Sequence, residues 1–308
     1  MKQNILKNDN TNKSFVGKFI IVGGDERQAY LANSLLKEGY SVASILSKSN
    51  HIFDKSIKKY NDLALATKKP GIYVFPIPFL DVDGFINSPF SDKKLKPNEL
   101  ISLIKENSYI FGGKIPKEVF NLAKEKNIRV VDLLDREEFG ILNGIPTAEG
   151  ALEIAIKERS TTIFGSKCLV TGYGNIAKPL AKILSAMGAS VDILTRSLSS
   201  TAKAESSGYN IIKRESLVDR ISDYDIVFNT APSPIFSMEI LKNANKASLF
   251  IDLASKPGGI DFKRAEELNL QVIWALSLPA KTAPVTAGRI VKKAIINVLS
   301  EGGENNEK

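Results

Sequence analysis

Three small residues follow a short apolar run near the middle of the chain. The run Cys168–Val170 ends at Thr171, and Gly172, Gly174 and Ala177 come next with the spacing G-x-G-x-x-A. Gly172 would allow a tight turn, and Gly174, which has no side chain, would let a ligand approach the backbone closely. Ala177 is small enough for a helix to pack against the preceding strand. These residue types at this spacing are suited to holding a pyrophosphate group.

The elements around these residues are the ones that a dinucleotide site needs. Ile176–Met187 has the spacing of a helix, and Ser190–Thr195 is a second strand-like run. The first N–H groups of such a helix have no partner within it and, with the helix dipole, attract phosphate. We therefore predict a dinucleotide site, and the alternative is a tight turn that binds no ligand. Its predicted phosphate contacts are Gly172, Gly174, Asn175, Ile176 and Ala177.

The end of the second strand indicates which nucleotide binds. In NAD-binding proteins of this type, an acidic residue about 20 positions after the first glycine holds the ribose hydroxyls. Asp192 is near that position, but it lies too early in its strand for this contact. The strand instead ends in Thr195, Arg196 and Ser197, and an arginine with two hydroxyls can bind a 2′-phosphate. NADP is therefore favoured over NAD, unless Arg196 is only a surface residue.

A later strand supplies a second group of candidate cofactor contacts. Asn229 ends an apolar run, and Thr230 and Ala231 follow it. The end of this strand would face the nicotinamide half of the site. Thr230 and Ala231 are thus candidate cofactor contacts, although a proline-containing turn at the end of a strand explains them equally well.

Composition sets limits on the class of protein. The chain has 308 residues, 43% of them hydrophobic and 25% charged, which predicts a soluble globular protein of about two domains. It has neither an apolar run of about 18 residues nor an apolar signal core, so we expect a cytoplasmic protein. The net charge of +8 is spread along the chain, which argues against nucleic-acid binding and suits an anionic substrate.

The chain has few residues for metal or histidine chemistry. Its one cysteine, Cys168, lies inside a strand, and its one histidine, His51, lies in a polar stretch. Intramolecular disulfides are excluded, and we predict no metal site and no catalytic histidine.

The first part of the chain has its own βαβ pattern. Lys18–Val22 is a buried strand, a Gly-Gly-Asp turn follows it, and Gln28–Glu38 has helical spacing. About five parallel strands are predicted before Thr147, which would cap a bridging helix over Ala148–Arg159. The predicted fold class is α/β, with two Rossmann-like doubly wound domains separated by a cleft and bridged by helices.

The predicted boundaries follow from these patterns. We predict a polar, disordered tail over residues 1–17, an N-terminal substrate-side domain over residues 18–146, and the NADP-binding domain over residues 147–286. A last helix over residues 287–300 is expected to pack back on the first domain.

Several segments, in this order, resemble the dipicolinate synthase A-subunit family. They are GGDERQ at 23–28, DREEFGILNGIPTAEGA at 135–151, VTGYGNIA at 170–177, DLASKPGGIDF at 252–262 and TAG at 286–288. The resemblance implies oxidation of a dihydrodipicolinate to dipicolinate with a nicotinamide cofactor. It also implies a second subunit, similar to flavoproteins, and a place in the mother cell of a sporulating bacterium. A homo-oligomer is compatible with the sequence.

The implied reaction asks for cations that match two carboxylates and for a group that accepts a proton. Arg27, Arg136 and Lys256 are the candidate cations, and each could instead be an exposed or ion-paired surface residue. Asp25, Glu138 and Glu149 are the candidate bases, although Glu149 could simply favour the helix dipole. Water could also accept the proton.

Two other functions fit the same sequence features. One is another two-domain NAD(P)-dependent reductase that acts on a small carboxylic acid. The other is a nucleotide-binding scaffold that supports a partner subunit without catalysis, which would need the glycine turn but not the cations.

Overall fold

The computed structural model describes residues 17–304, with side chains as far as Glu301, and it divides the chain into two compact units. Unit 1 runs to Arg136 and resumes at Val291, and unit 2 is Glu137–Ile290. The division thus falls after Arg136, whereas the sequence predicted a boundary after residue 146. The predicted tail, except its last residue, lies outside the described residues.

Unit 1 is built on one parallel sheet of six strands, in the order β3-β2-β1-β4-β5-β6. Its strands are β1 Lys18–Val22, β2 Val42–Ile45, β3 Lys58–Tyr60, β4 Gly71–Val74, β5 Tyr109–Gly112 and β6 Arg129–Asp132. The helices of its N-terminal part are α1 Glu26–Lys37, α2 Leu63–Ala66, α3 Pro97–Ile101 and α4 Lys117–Glu125. Six strands replace the predicted five, because β3 is three polar residues at the sheet edge, a pattern that predicts no strand.

Unit 2 has a second six-stranded parallel sheet, in the order β12-β11-β10-β7-β8-β9. Its strands are β7 Lys167–Thr171, β8 Ser190–Leu194, β9 Asn210–Ile212, β10 Ile226–Asn229, β11 Leu249–Asp252 and β12 Gln271–Trp274. Its helices are α5 Glu137–Glu158, α6 Ala177–Ala186, α7 Leu198–Ser206, α8 Leu217–Arg220, α9 Met238–Leu241, α10 Phe262–Glu267 and α11 Leu278–Thr282. The predicted fold class, two doubly wound α/β domains, is confirmed.

Strand β7 is buried on both faces, which explains its continuous apolar run. Cys168 and Val170 pack in one core with helices α5 and α6, and Leu169 packs in the core on the opposite face of the sheet. Burial raises the pKa of the Cys168 thiol to about 12, so this cysteine is an inert core residue.

Helix α5 begins earlier than the helix that the sequence predicts over Ala148–Arg159. It extends over 22 residues and contains Pro146 in its interior, so Thr147 does not cap a helix. The Thr147 hydroxyl instead donates to the Asn143 carbonyl, 2.8 Å away. Glu149 accordingly lies in the middle of α5 rather than in a first turn.

The last helix, α12 Pro284–Glu304, starts in unit 2, and its residues from Val291 onward belong to unit 1. Lys292 donates to Ser34 Oγ of helix α1 (2.8 Å) and to Glu38, the residue after that helix. No helix among the described residues is long and apolar enough to cross a membrane.

Candidate functional site

The glycine turn connects the end of β7 to the start of α6. Gly172 has a φ of +80°, which favours glycine, and its N–H donates to the Leu194 carbonyl (2.7 Å). Gly174 does not have a positive φ, and a Cβ built on it would meet no atom within 4 Å. Ala177 begins α6 and is fully buried. The fold therefore requires glycine at 172, whereas at 174 it leaves open space beside the backbone.

The N-terminus of α6 faces this open turn. Its first helical hydrogen bond runs from Lys178 N to the Gly174 carbonyl (3.1 Å), so the N–H groups of Asn175 and Ile176 precede it. Gly144 of helix α5 lies against the same turn, where an added Cβ would be 2.1 Å from the Asn175 carbonyl oxygen. The sequence alone does not indicate this role of Gly144.

A cavity of about 340 Å³ lies beside the turn and extends along the end of β8. The predicted residues Thr195, Arg196 and Ser197 line it, together with Gly172 and Ala231. Sequence reasoning missed three further lining residues, which are Arg214, Ser233 and Ile235. They belong to no motif, and they come to the cavity only because β9 and β10 are neighbours of β8 and β7 in the sheet.

The residues of this cavity fit a nicotinamide dinucleotide. The open space at Gly174 leaves room for a pyrophosphate against the backbone, and two guanidinium groups and several hydroxyls can bind a phosphate monoester. Ser197 begins α7 as its N-cap, and its Oγ accepts from Ser200 N (3.3 Å). The site would thus bind a pyrophosphate at the glycine turn and a second anionic group near the N-terminus of α7.

Asp192 has a structural role away from the cavity. Its carboxylate is buried and accepts from the Tyr224 hydroxyl (2.7 Å) and from Asn210 Nδ2 (3.0 Å). Burial, followed by the hydrogen bond to Asp192, raises the pKa of Tyr224 above its ordinary value. The carboxylate that could have marked an NAD site is therefore engaged elsewhere.

A buried polar network joins the ends of three strands next to the turn. The Thr171 hydroxyl donates to Asn229 Oδ1 (2.5 Å), and Asn229 Nδ2 donates to Asp252 Oδ1 (2.7 Å). Asp252 Oδ2 in turn accepts from Gly259 N (2.8 Å). The Thr230 hydroxyl donates to the Thr171 carbonyl (2.6 Å). This network fixes the backbone of Thr230 and the loop that follows β11.

That loop carries Lys256. The Lys256 side chain is exposed, and its Nζ lies 5.7 Å from the ring centre of Trp274, the one tryptophan of the chain. Trp274 Nε1 donates to the Ala254 carbonyl (3.0 Å), which ties the ring to the loop. Lys256 is thus a solvated cation on a well-held loop of unit 2.

Two of the candidate catalytic residues in unit 1 form an ion pair with each other. Arg27 is buried, and it donates through Nε to Asp25 Oδ1 (2.9 Å) and through Nη2 to Asp25 Oδ2 (2.7 Å). It also donates to the Ile77 carbonyl. Asp25 is the N-cap of α1 as well. The pair therefore neutralises both charges, whereas the sequence predicts Arg27 as a ligand of the substrate and Asp25 as a base.

The remaining candidates lie in different surroundings. Arg136 forms a two-pronged ion pair with Glu301 of α12, at 2.6 and 2.9 Å. Glu301 is remote from Arg136 in sequence, so the charged residues around Arg136 do not indicate this ion pair. Glu149 is exposed on α5. Within residues 17–304 no group of three or more His, Cys, Asp or Glu side chains could hold a metal ion.

Known proteins resemble this chain in sequence along nearly its whole length. Residues 18–134 match the family described as the N-terminal domain of the dipicolinate synthase A-subunit. Residues 153–273 match the family described as "Shikimate / quinate 5-dehydrogenase". The dipicolinate synthase A-subunit of Bacillus subtilis (strain 168) is 30% identical over 287 residues, which cover 92% of this chain and 96% of that protein.

Two solved structures are similar in fold. The A-subunit of dipicolinate synthase from Bacillus subtilis has a TM-score of 0.82 at 28% identity, covering 93% of this chain and 97% of that one. The A-subunit of the same synthase from Bacillus halodurans has a TM-score of 0.82 at 26% identity, covering 92% and 98%. The similarity extends through both units.

Proposed function

The chain belongs to the dipicolinate synthase A-subunit family, and on this premise we propose that it oxidises a dihydrodipicolinate to dipicolinate. The substrate would derive from 4-hydroxy-tetrahydrodipicolinate, and NADP+ would be the preferred hydride acceptor over NAD+. The ring loses one hydride and one proton and becomes aromatic, which supplies much of the driving force. The substrate class is supported by the relatives, which are named as dipicolinate synthase subunits. The cofactor class is supported by the site in unit 2.

The open space at Gly174 is the observation that best supports binding of a nicotinamide cofactor. A Cβ there would meet nothing within 4 Å, so the fold itself does not need glycine. A pyrophosphate that approaches the backbone does need it. The adjoining cavity, with Arg196 and Ser197, supports the proposed preference for NADP. When bound, the nicotinamide supplies the acceptor for the hydride.

The substrate carboxylates require cations, and the candidates are not equally available. We propose Lys256 as one carboxylate ligand, because it is a solvated cation on a loop of the cofactor-binding unit. Arg27 and Arg136 can take this role only if a substrate carboxylate replaces Asp25 or Glu301 in the existing ion pairs. Such an exchange retains two charge-assisted hydrogen bonds on the guanidinium, but the displaced carboxylate must then be solvated or protonated.

The proton has a carboxylate or water as its acceptor. Glu149 is exposed and Asp25 is held by Arg27, so Glu149 is the better-placed base of the two by accessibility. We further propose that a second subunit, similar to flavoproteins, assembles with this chain, because its relatives are each named as one subunit of a synthase. We propose, on the same family membership, a location in the mother cell of a sporulating bacterium.

The test mixes the purified chain, with and without its partner subunit, with freshly generated dihydrodipicolinate and either NADP+ or NAD+. The absorbance of the reduced nicotinamide is followed. We expect reduction of NADP+ faster than of NAD+. If neither cofactor is reduced in the presence of the partner, but both still bind, the chain is a nucleotide-binding scaffold and the catalytic proposal is wrong.

The Gly174→Ala variant tests whether the open space at Gly174 is where the cofactor binds. Because the added methyl has space in the protein alone, the melting temperature should not change. It would, however, occupy the position proposed for the pyrophosphate. We expect NADPH binding to weaken about 10- to 100-fold, since a methyl forced into an occupied position costs about 1–3 kcal/mol. Unchanged NADPH affinity would remove the glycine turn from the cofactor site.

A further inference from the structure

Two arginines from different segments line the cavity at the end of β8. Strands β8 and β9 are parallel neighbours, and Leu194 is paired with Ile212. Arg196 lies two residues beyond Leu194, and Arg214 lies two residues beyond Ile212. The register therefore brings both arginines out of the sheet at the same edge and side by side, and both line the cavity.

Neither guanidinium is neutralised within the described part of the chain. Arg214 donates through Nη2 to the Pro234 carbonyl (3.2 Å), and no carboxylate of residues 17–301 is within ion-pair distance of Arg214 or Arg196. Arg159, Arg220 and Arg264 of the same unit each pair with an aspartate or glutamate. Two uncompensated cations at one cavity repel each other, and an anion with two negative charges would relieve that repulsion.

We propose that Arg214 is the second arm of a clamp on the 2′-phosphate of NADP(H), with Arg196 as the first; this inference rests on the proposed nucleotide site. The hydrogen bond to Pro234 holds one side of the Arg214 guanidinium, so its remaining N–H groups are oriented before the ligand arrives. Selectivity for the phosphorylated nucleotide thus comes from two elements, the end of β8 and the turn after β9.

The rest of the cavity fits the remainder of this nucleotide. Ser197 and the N-terminus of the nine-residue helix α7 add hydrogen-bond donors and a positive dipole end. Leu194 and Ile235 give apolar walls for an adenine ring. A ligand that combines a phosphate monoester with a flat base matches this lining, whereas an unphosphorylated ribose would leave both guanidinium groups unpaired.

The test compares Arg214→Gln with Lys213→Gln in the full chain. Lys213 is the adjacent residue, is exposed and does not line the cavity, so its substitution removes the same charge from outside the clamp. Dissociation constants for NADPH and NADH are measured by quenching of Trp274 fluorescence, and those for 2′,5′-ADP and 5′-AMP by calorimetry. None of these measurements requires catalysis.

We expect Arg214→Gln to weaken NADPH and 2′,5′-ADP about 10- to 100-fold, the usual worth of a hydrogen bond to a charged group. NADH and 5′-AMP should change less than about threefold, and Lys213→Gln should change neither pair. Equal losses for both nucleotides, or none, would overturn the assignment. If the wild-type chain does not prefer NADPH, the NADP assignment fails as well. If it does prefer NADPH and Arg214→Gln keeps that preference, only the role of Arg214 fails.

Discussion

Tyr73, in the core of unit 1, is a buried tyrosine whose hydroxyl has no hydrogen-bond partner among the described residues. Burial alone raises its pKa to about 12, because the phenolate would have to form in an apolar core. In the unfolded chain a tyrosine titrates near pH 10. The folded state therefore keeps its full stability below pH 10 and loses stability as the pH rises from 10 toward 12.

Tyr73→Phe should stabilise the protein. It removes a hydroxyl that is desolvated without compensation, so we expect a gain of about 1–2 kcal/mol at pH 7. The gain should increase above pH 10, because the variant no longer has this group to ionise. Urea unfolding at pH 7 and at pH 11 measures both effects.

Tyr60→Phe is the matched control, since the Tyr60 hydroxyl accepts from Lys18 Nζ (3.2 Å) and its loss should not stabilise. A Tyr73→Phe variant less stable than wild type would mean that the Tyr73 hydroxyl has a partner after all.

Individual residues of the proposed cofactor site differ in how far the sequence reveals them. Gly172 and Gly174 could be selected from the sequence because their spacing is typical of a phosphate-binding turn, although the fold of the turn requires glycine only at 172. Arg214 could not, because only the pairing of β9 with β8 brings it to the cavity. The pairing of Arg27 with Asp25 was also hidden, although the two are near neighbours in sequence. A guanidinium and a carboxylate there fit a ligand site as well as they fit an ion pair.

At the scale of elements, helix α5 and the glycine turn pack closely enough to require a glycine. A Cβ at Gly144 would be 2.1 Å from the Asn175 carbonyl oxygen, which belongs to the backbone of the turn. One turn earlier, a Cβ at Gly140 would be 2.8 Å from Asn175 Nδ2, the end of a flexible side chain. Both glycines thus lie against Asn175. An added Cβ at position 144 would displace the backbone of the turn, whereas one at position 140 would displace only the Asn175 side chain.

Gly144→Ala should weaken cofactor binding, and Gly140→Ala should not. Alanine is the better helix former by about 1 kcal/mol, which favours both substitutions. At position 144 the displacement of the turn, at about 1–3 kcal/mol, cancels or exceeds this gain and moves the N–H groups of Asn175 and Ile176. NADPH affinity and the melting temperature are measured for both variants. Equal NADPH affinities would show that the position of the turn does not depend on α5.

Elements with strong local patterns were predicted well, and those that depend on neighbours were not. The apolar runs of β1 and β7 identified both βαβ starts. Strand β3 was missed because its polar residues are ordered by pairing with β2. Helix α5 was predicted too short, because a proline at 146 normally precedes a helix rather than lying within one. The predicted domain boundary after residue 146 was based on that shorter helix.

At the scale of the whole molecule, unit 1 is completed by the C-terminal end of the chain. Its residues from Val291 onward lie in α12, where Ile295 is fully buried. Each unit also has hydrophobic core clusters of its own among the described residues, such as the one around Tyr73 in unit 1 and those on the two faces of the unit 2 sheet. The alternation of strands and helices predicted two such units, but the alternation could not fix which residues of the last helix belong to which unit.

Ile295→Ala should therefore destabilise unit 1, although Ile295 is far from β1–β6 in sequence. Loss of a buried isoleucine side chain costs about 2–5 kcal/mol, depending on how far the cavity collapses. Hydrogen exchange should become faster at the amides of β1, β2 and β4, and should stay slow at those of β7 and β10. Leu180→Ala, at a fully buried position of unit 2, is the matched control and should give the reverse pattern. If both substitutions accelerate exchange equally in both sheets, the chain unfolds as one cooperative block, and the division into two separately stabilised units is wrong.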